Sequence, residues 1–268
     1  MVASLRTAID DARSSAVPSS TARPSRAVVF ALGRIEAKHL LRHPAFLLPI
    51  AFGLLLFRGA IGVGGSSSSM ALNLAWLAGG VSIGVLIGAV LTTNVAALRP
   101  RRDHLTELYG SLPAPAEART AGVMTGLVLG LGSLAVVIAG ATWLVLDRVD
   151  ELAEHVDLFL ASQYVLSVLA LGAVGVAVGR WVPGVLGGPL VVIAHVFTGL
   201  IWIVPWIAPA SSGIGVGWHF AYLLAVIAGF ATLAFARDRR TAQRFVVVAA
   251  TLGLAVLAAV EQAPPGGY

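Results

Sequence analysis

The 268-residue chain reads as all-α: a polytopic helical membrane protein with about seven transmembrane helices. Three observations lead there. Hydrophobic residues make up 57% of the chain and charged residues only 12%, against about 25% charged in ordinary soluble domains. Apolar stretches of membrane-crossing length, roughly 17 to 25 residues, recur along it. Short charged or Gly/Pro-rich breaks separate them, whereas a water-soluble core needs no apolar runs of that length.

Residues 1–26 are rich in Ser, Ala, Pro and charge and lack the apolar centre of a secretory signal. They read as a disordered cytoplasmic tail. Residues 27–43 form an amphipathic segment with Val28, Leu32 and Ile35 on one face and Arg34, Lys38 and Arg42 on another, as suits a helix at the membrane surface. Pro44 marks a break, after which spans are expected at 44–63, 71–98, 120–146, 158–179, 184–207, 218–236 and 245–260. The last is the shortest. Pro205 and Pro209 disfavour one straight helix across the end of the fifth span and suggest an outer re-entrant turn.

Basic residues orient the chain, because Lys and Arg accumulate in cytoplasmic loops. Of the 18 Lys and Arg residues, all but Arg58 and Arg148 fall on the side that carries the N-terminus. The N-terminus is therefore expected inside and, with an odd span count, the C-terminus outside. The acidic stretch 147–157 then lies outside. Trp181, Trp202, Trp206 and Trp218 sit near span ends, as interfacial anchors do.

Within the spans, Gly80, Gly84 and Gly88 form one small-xxx-small ridge and Gly122, Gly126 and Gly130 another, the pattern that lets helix backbones approach closely in lipid. No Asp or Glu falls inside a span, which argues against a proton- or ion-coupled carrier. Polar residues are few: Asn73, Thr92, Thr93, Asn94, Gln163, His195 and Thr198. Interhelical hydrogen bonding is the plain reading of each. Asn94, Gln163, His195 and Thr198 are also the candidates for lining a substrate pathway.

Self-contained catalysis has little to work with. The chain has no cysteine, hence no thiolate chemistry and no Cys-based metal site. It has no His-Glu-x-x-His or Gly-x-Ser-x-Gly motif. His195 and His219 lack the carboxylate partners that usually complete a metal site. The Gly-x-x-x-x-Gly-Lys-Ser/Thr phosphate loop is also missing, so ATP-driven work needs another polypeptide. The net charge of +5 fits loops facing anionic lipid rather than nucleic acid.

The inner loop 99–119, RPRRDHLTELYGSLPAPAEAR, is patterned. Leu105, Leu108, Tyr109 and Leu112 fall at i, i+3, i+4 and i+7 on one apolar face, with Arg101, Arg102 and Glu107 largely off it, and Pro113 and Pro115 end the helix. Such a helix lies on the membrane surface or seats in a groove of a soluble partner.

A basic pre-span segment ending RIEAKHLLRHP, followed after two spans by LRPRRDHLTELYGSLPAPAEART, resembles the transmembrane subunit of a bacterial ATP-binding cassette transporter, an export-class type-2 permease. The resemblance covers most of the chain. It implies a connecting helix at 27–43, a six-helix permease domain at 44–236 and a cytoplasmic coupling helix between the second and third spans. Arg101, Asp103, Leu105, Glu107, Leu108 and Leu112 then lie on or beside the surface that docks on a nucleotide-binding ATPase subunit. It further implies a second permease subunit, no cofactor in this chain, and ATP with Mg in the partner. The family has six spans with both termini inside; here 237–268 adds a basic loop, an apolar 245–260 and a short tail. Two other classes stay open: a membrane scaffold or sensor that recruits a soluble protein, and an intramembrane lipid-modifying enzyme, which would need a nucleophile and base that the spans do not obviously supply.

Overall fold

The computed structural model describes residues 25–63, 70–102, 116–146, 158–198, 216–238 and 240–261, with side chains next to the gaps, 57–76 and 195–198 among them, outside that description. The described part is all-helical: α1 (Arg26–Arg42), α2 (Pro44–Val63), α3 (Met70–Arg102), α4 (Ala116–Gly126), a π-helical segment (Leu127–Gly132), α5 (Ser133–Leu146), α6 (Leu158–Trp181), α7 (Gly187–Thr198), α8 (Val216–Ala236) and α9 (Ala242–Glu261). Six stretches are long and apolar enough to cross a membrane: Arg26–Leu56, Leu77–Arg101, Ala116–Leu144, Ala161–Trp181, Gly217–Ala236 and Ala242–Glu261. This is the architecture of a multi-pass membrane protein.

The expected fifth span, 184–207, is not among the six. Its described helix, α7, has 12 residues, fewer than the roughly 17 a crossing needs, and 199–215, with both prolines, lie outside the described residues. The 245–260 stretch, by contrast, belongs to a 20-residue helix.

Local chemistry explains the breaks. Ser25 caps α1 by accepting from the Val28 N–H. His43 is extended (φ −73°, ψ 136°), as a residue before proline is pushed to be. Its Nδ1 accepts from the Ala45 N–H at 3.1 Å, and Pro44 occupies the first helical position, where a missing N–H costs nothing. α3 runs through Pro100 to Arg102, past the end expected at 98. The third span contains a π turn at Leu127–Gly132, which no periodicity in the sequence announces.

Glycines set the packing. The Cβ that an alanine would carry at Gly84 would lie 2.7 Å from the Pro49 carbonyl oxygen and 2.9 Å from the Ile50 nitrogen. At Gly88 it would meet Phe46, and a Cβ at Gly53 would strike the Gly80 carbonyl. α2 and α3 are thus antiparallel neighbours at backbone contact. The second ridge serves a different partner. Gly122 faces Leu32, Gly126 faces Glu36 and Ala37, and Gly130 faces Ala37, so α1 lies lengthwise along α4 and the π turn, running in the same direction. Val28 and Ile35, expected on the apolar face of that segment, are exposed; the face that packs is Leu32, Gly33, Glu36, Ala37 and Leu40. Small residues win it because only they let two backbones come this close.

A third ridge, Gly172, Gly175 and Gly179 on α6, abuts Leu127, Val90 with Thr93, and Asn94 with Ala97 respectively. It joins α6 to α3 in parallel, and α8 covers the other side of α6, with α9 as its outermost neighbour. One apolar core gathers Phe46, Val85, Leu86, Leu131 and Val168; a second gathers Leu40, Ala96, Val176 and Ala234 nearer the charged helix ends.

Candidate functional site at the charged end of the bundle

The end of α3, the start of α4, the end of α6 and the α8–α9 turn all meet at one end of the bundle. Glu36 of α1 pairs with Arg99 of α3 at 3.2 Å. Glu117 of α4 pairs with Arg244 of α9 at 2.8 Å, and Arg244 also donates to the Phe235 carbonyl at 2.6 Å. Arg180 of α6 pairs with Asp238 in the α8–α9 turn, and Asp238 accepts from Thr120 Oγ1 as well. Arg101 donates to the Arg180 carbonyl at 3.0 Å. The Asp238 side chain is only 4% exposed, so this is the most desolvated of the three pairs and the one whose geometry matters most.

Electrostatically the end is cation-rich. Arg101, Arg119 and Arg237 all lie close enough to Arg180 to repel it, and desolvation would make such crowding costly if Asp238 were not there. Trp181, next in the chain, donates its indole N–H to the Leu233 carbonyl at 2.9 Å. Its ring carries the Arg237 and Arg240 guanidiniums at 5.6 and 5.7 Å from its centroid. The interfacial anchor of the sequence reading is thus also a clamp between α6 and the α8–α9 turn.

The network brackets the inner loop. Arg101 precedes it on α3 and Glu117 follows it on α4, both engaged with distant helices. Of the residues expected to form the coupling surface, Arg101 is half-buried in this network, while Asp103, Leu105, Glu107, Leu108 and Leu112 lie outside the described residues.

Beneath this layer sits Asn94, 1% exposed. Its carboxamide presses on the first turn of α7, where a Cβ at Gly188 would stand 3.1 Å from Oδ1, and its backbone carbonyl meets Gly179. Among the described residues neither Oδ1 nor Nδ2 has a hydrogen-bond partner. A buried amide left unpaired is costly. Thr93 donates across to the Gly172 carbonyl at 2.9 Å, whereas Thr92 donates within its own helix to Gly88.

Of the four pathway candidates, Asn94 and Gln163, the two whose side chains are described, do not share a site. Gln163 is buried, its Nε2 without a hydrogen-bond partner among the described residues, but it lies near the opposite end of α6, about 24 Å along the helix from Gly179. His195 and Thr198 sit on the last turns of α7, their side chains outside the described residues; His219 is buried on α8. Sequence reasoning passed over Glu36, Glu117, Asp238 and the α6 glycine ridge. The ridge was findable from its spacing, and the three carboxylates from being the few acids on a strongly basic side.

No known protein-family model and no curated protein matches the chain. The case for function therefore rests on its own residues and geometry.

Proposed function

We propose that the chain is the membrane-spanning permease subunit of an ATP-driven exporter, working as a pair of permease subunits coupled to separate nucleotide-binding ATPase subunits. The carrying observation is the ionic layer. The loop with the amphipathic Leu105, Leu108 and Leu112 pattern is tethered at both ends, through Arg101 and Glu117, to helices α6 and α9. A partner that pushes on such a loop moves α3, α4, α6 and the α8–α9 turn together instead of being absorbed by a slack linker. The layer faces the cytoplasm in this reading, with the N-terminus on the same side, in agreement with the Lys and Arg distribution.

Mechanistically, ATP binding and hydrolysis in the partner supply the free energy. Differential contact of that partner with the loop in its two states biases the bundle between two arrangements. The chain does no covalent chemistry. Its contribution is a rigid lever at one end and close glycine-mediated helix contacts that slide or separate as units.

The test is Leu108→Asp, which sets a charge into the apolar face offered to the partner. The expected outcome is loss of a phosphate-loop ATPase from purifications in mild detergent, with membrane insertion and yield of the chain retained. Association that survives the substitution would remove the coupling role, and the scaffold reading would take its place if a different soluble protein were retained.

A further inference from the structure

The guanidiniums of Arg237 and Arg240 are arranged in a way that the ionic layer does not use. Each carboxylate of that layer is already engaged, Glu36 by Arg99, Glu117 by Arg244 and Asp238 by Arg180. Among the described residues no hydrogen bond or ion pair engages either guanidinium; both rest on the Trp181 ring. That ring is held in place by its bond to the Leu233 carbonyl and by the edge of Phe245, 6.5 Å away at 68°. Stacking occupies the face of a guanidinium and leaves its in-plane N–H donors open to an anion.

The surroundings say which anion. On one flank, directly after Trp181, Val182, Val185 and Leu186 are 41%, 56% and 72% exposed. On the other, Val246 at the start of α9 is 66% exposed. Two cationic forks between exposed apolar flanks at the end of a membrane-crossing bundle match an amphiphile with an anionic head and acyl chains. A soluble acidic protein would bring polar surface against those valines and leucine.

We propose that Arg237 and Arg240, presented by Trp181, form a binding site for the phosphate headgroup of an anionic phospholipid in the leaflet at the charged end of the bundle. The acyl chains of that lipid run along the apolar start of α9. A bound lipid bridges the end of α6 and the α8–α9 turn, adding to the hold of the Arg180–Asp238 pair. This site depends on the membrane architecture alone and stands whether or not the chain works with an ATPase.

The experiment is native mass spectrometry of the full-length chain in detergent, titrated with phosphatidylglycerol, phosphatidylcholine or inorganic phosphate. The wild-type chain is expected to retain phosphatidylglycerol over phosphatidylcholine. Each arginine near such a surface contributes about a fivefold preference, so Arg240→Gln should lose about fivefold and Arg237→Gln/Arg240→Gln about 25-fold. Arg34→Gln on α1 should lose far less. Arg240 is exposed, so the single variant tests the site without endangering the fold. Equal retention of both lipids, or a preference that survives Arg240→Gln, would overturn the proposal. So would inorganic phosphate displacing the lipid at equal concentration, which assigns the site to free phosphate, or variants that lose a soluble protein partner while keeping the lipid.

Discussion

Asp238 accepts hydrogen bonds from both Arg180 and Thr120, so one carboxylate ties together α6, α4 and the turn that follows α8.

Asp238→Ala is expected to destabilise the chain severely. The substitution leaves the Arg180 side chain, 16% exposed, without its counter-charge, and breaking a buried pair from one side costs about 3 to 5 kcal/mol. Thermal unfolding in detergent should show the drop. Arg180→Gln combined with Asp238→Asn should cost less than the two single changes added together, because the pair is coupled. Additive effects would mean that the contact contributes little.

Gly84→Leu should prevent α2 from seating on α3. The new side chain would meet the Pro49 carbonyl and the Ile50 backbone, and backbone cannot swing aside as a side-chain tip can. Overpacking costs about 1 to 3 kcal/mol even where neighbours can shift, so loss of the monodisperse peak in size-exclusion chromatography is the expected readout. Gly140→Leu is the control, since nothing lies within 4 Å of a Cβ there.

Thr93→Val should cost about 0.6 kcal/mol and at most about 1.7, the mean and maximum for hydrogen bonds between membrane helices, because it removes the bond to the Gly172 carbonyl along with the hydroxyl's bond to the Ala89 carbonyl of its own helix. Thr92→Val, which breaks only a bond within its own helix, should change stability less. Equal effects in unfolding titrations would show that the interhelical bond has no special weight.

Asn94→Leu separates stability from function. Removing two buried polar atoms that have no partner among the described residues should raise the unfolding midpoint, by an amount set by a desolvation penalty of about 1 to 3 kcal/mol. If Asn94 meets substrate, export in reconstituted vesicles should fall even as stability rises. A stabilised variant with full transport would exclude Asn94 from the path.

Much of the fold was legible because its signals are periodic. Apolar runs located the crossing helices, and the Gly80–Gly84–Gly88 spacing marked a face that meets the next helix at backbone distance. Composition gave no warning of the π turn at Leu127–Gly132, since a single extra residue per turn leaves the apolar pattern almost unchanged. Nor did hydrophobicity identify the packed face of α1. Val28 and Ile35 look like core residues under a water-based rule, yet in an apolar solvent large side chains lose little by facing outward and small ones gain by close approach. The same reasoning extends to Gly172, Gly175 and Gly179, whose three- and four-residue spacing also falls on one helix face.

The sequence alone determined that the chain is helical and where most of its membrane-crossing helices lie, since each depends on local composition or a short repeat. Only the tertiary structure decided that Glu36 meets Arg99, Glu117 meets Arg244 and Asp238 meets Arg180, and that Asn94 is buried without a partner among the described residues. Those contacts join helices far apart in the chain, and a lone carboxylate or amide carries no periodicity that could announce which distant residue it will face.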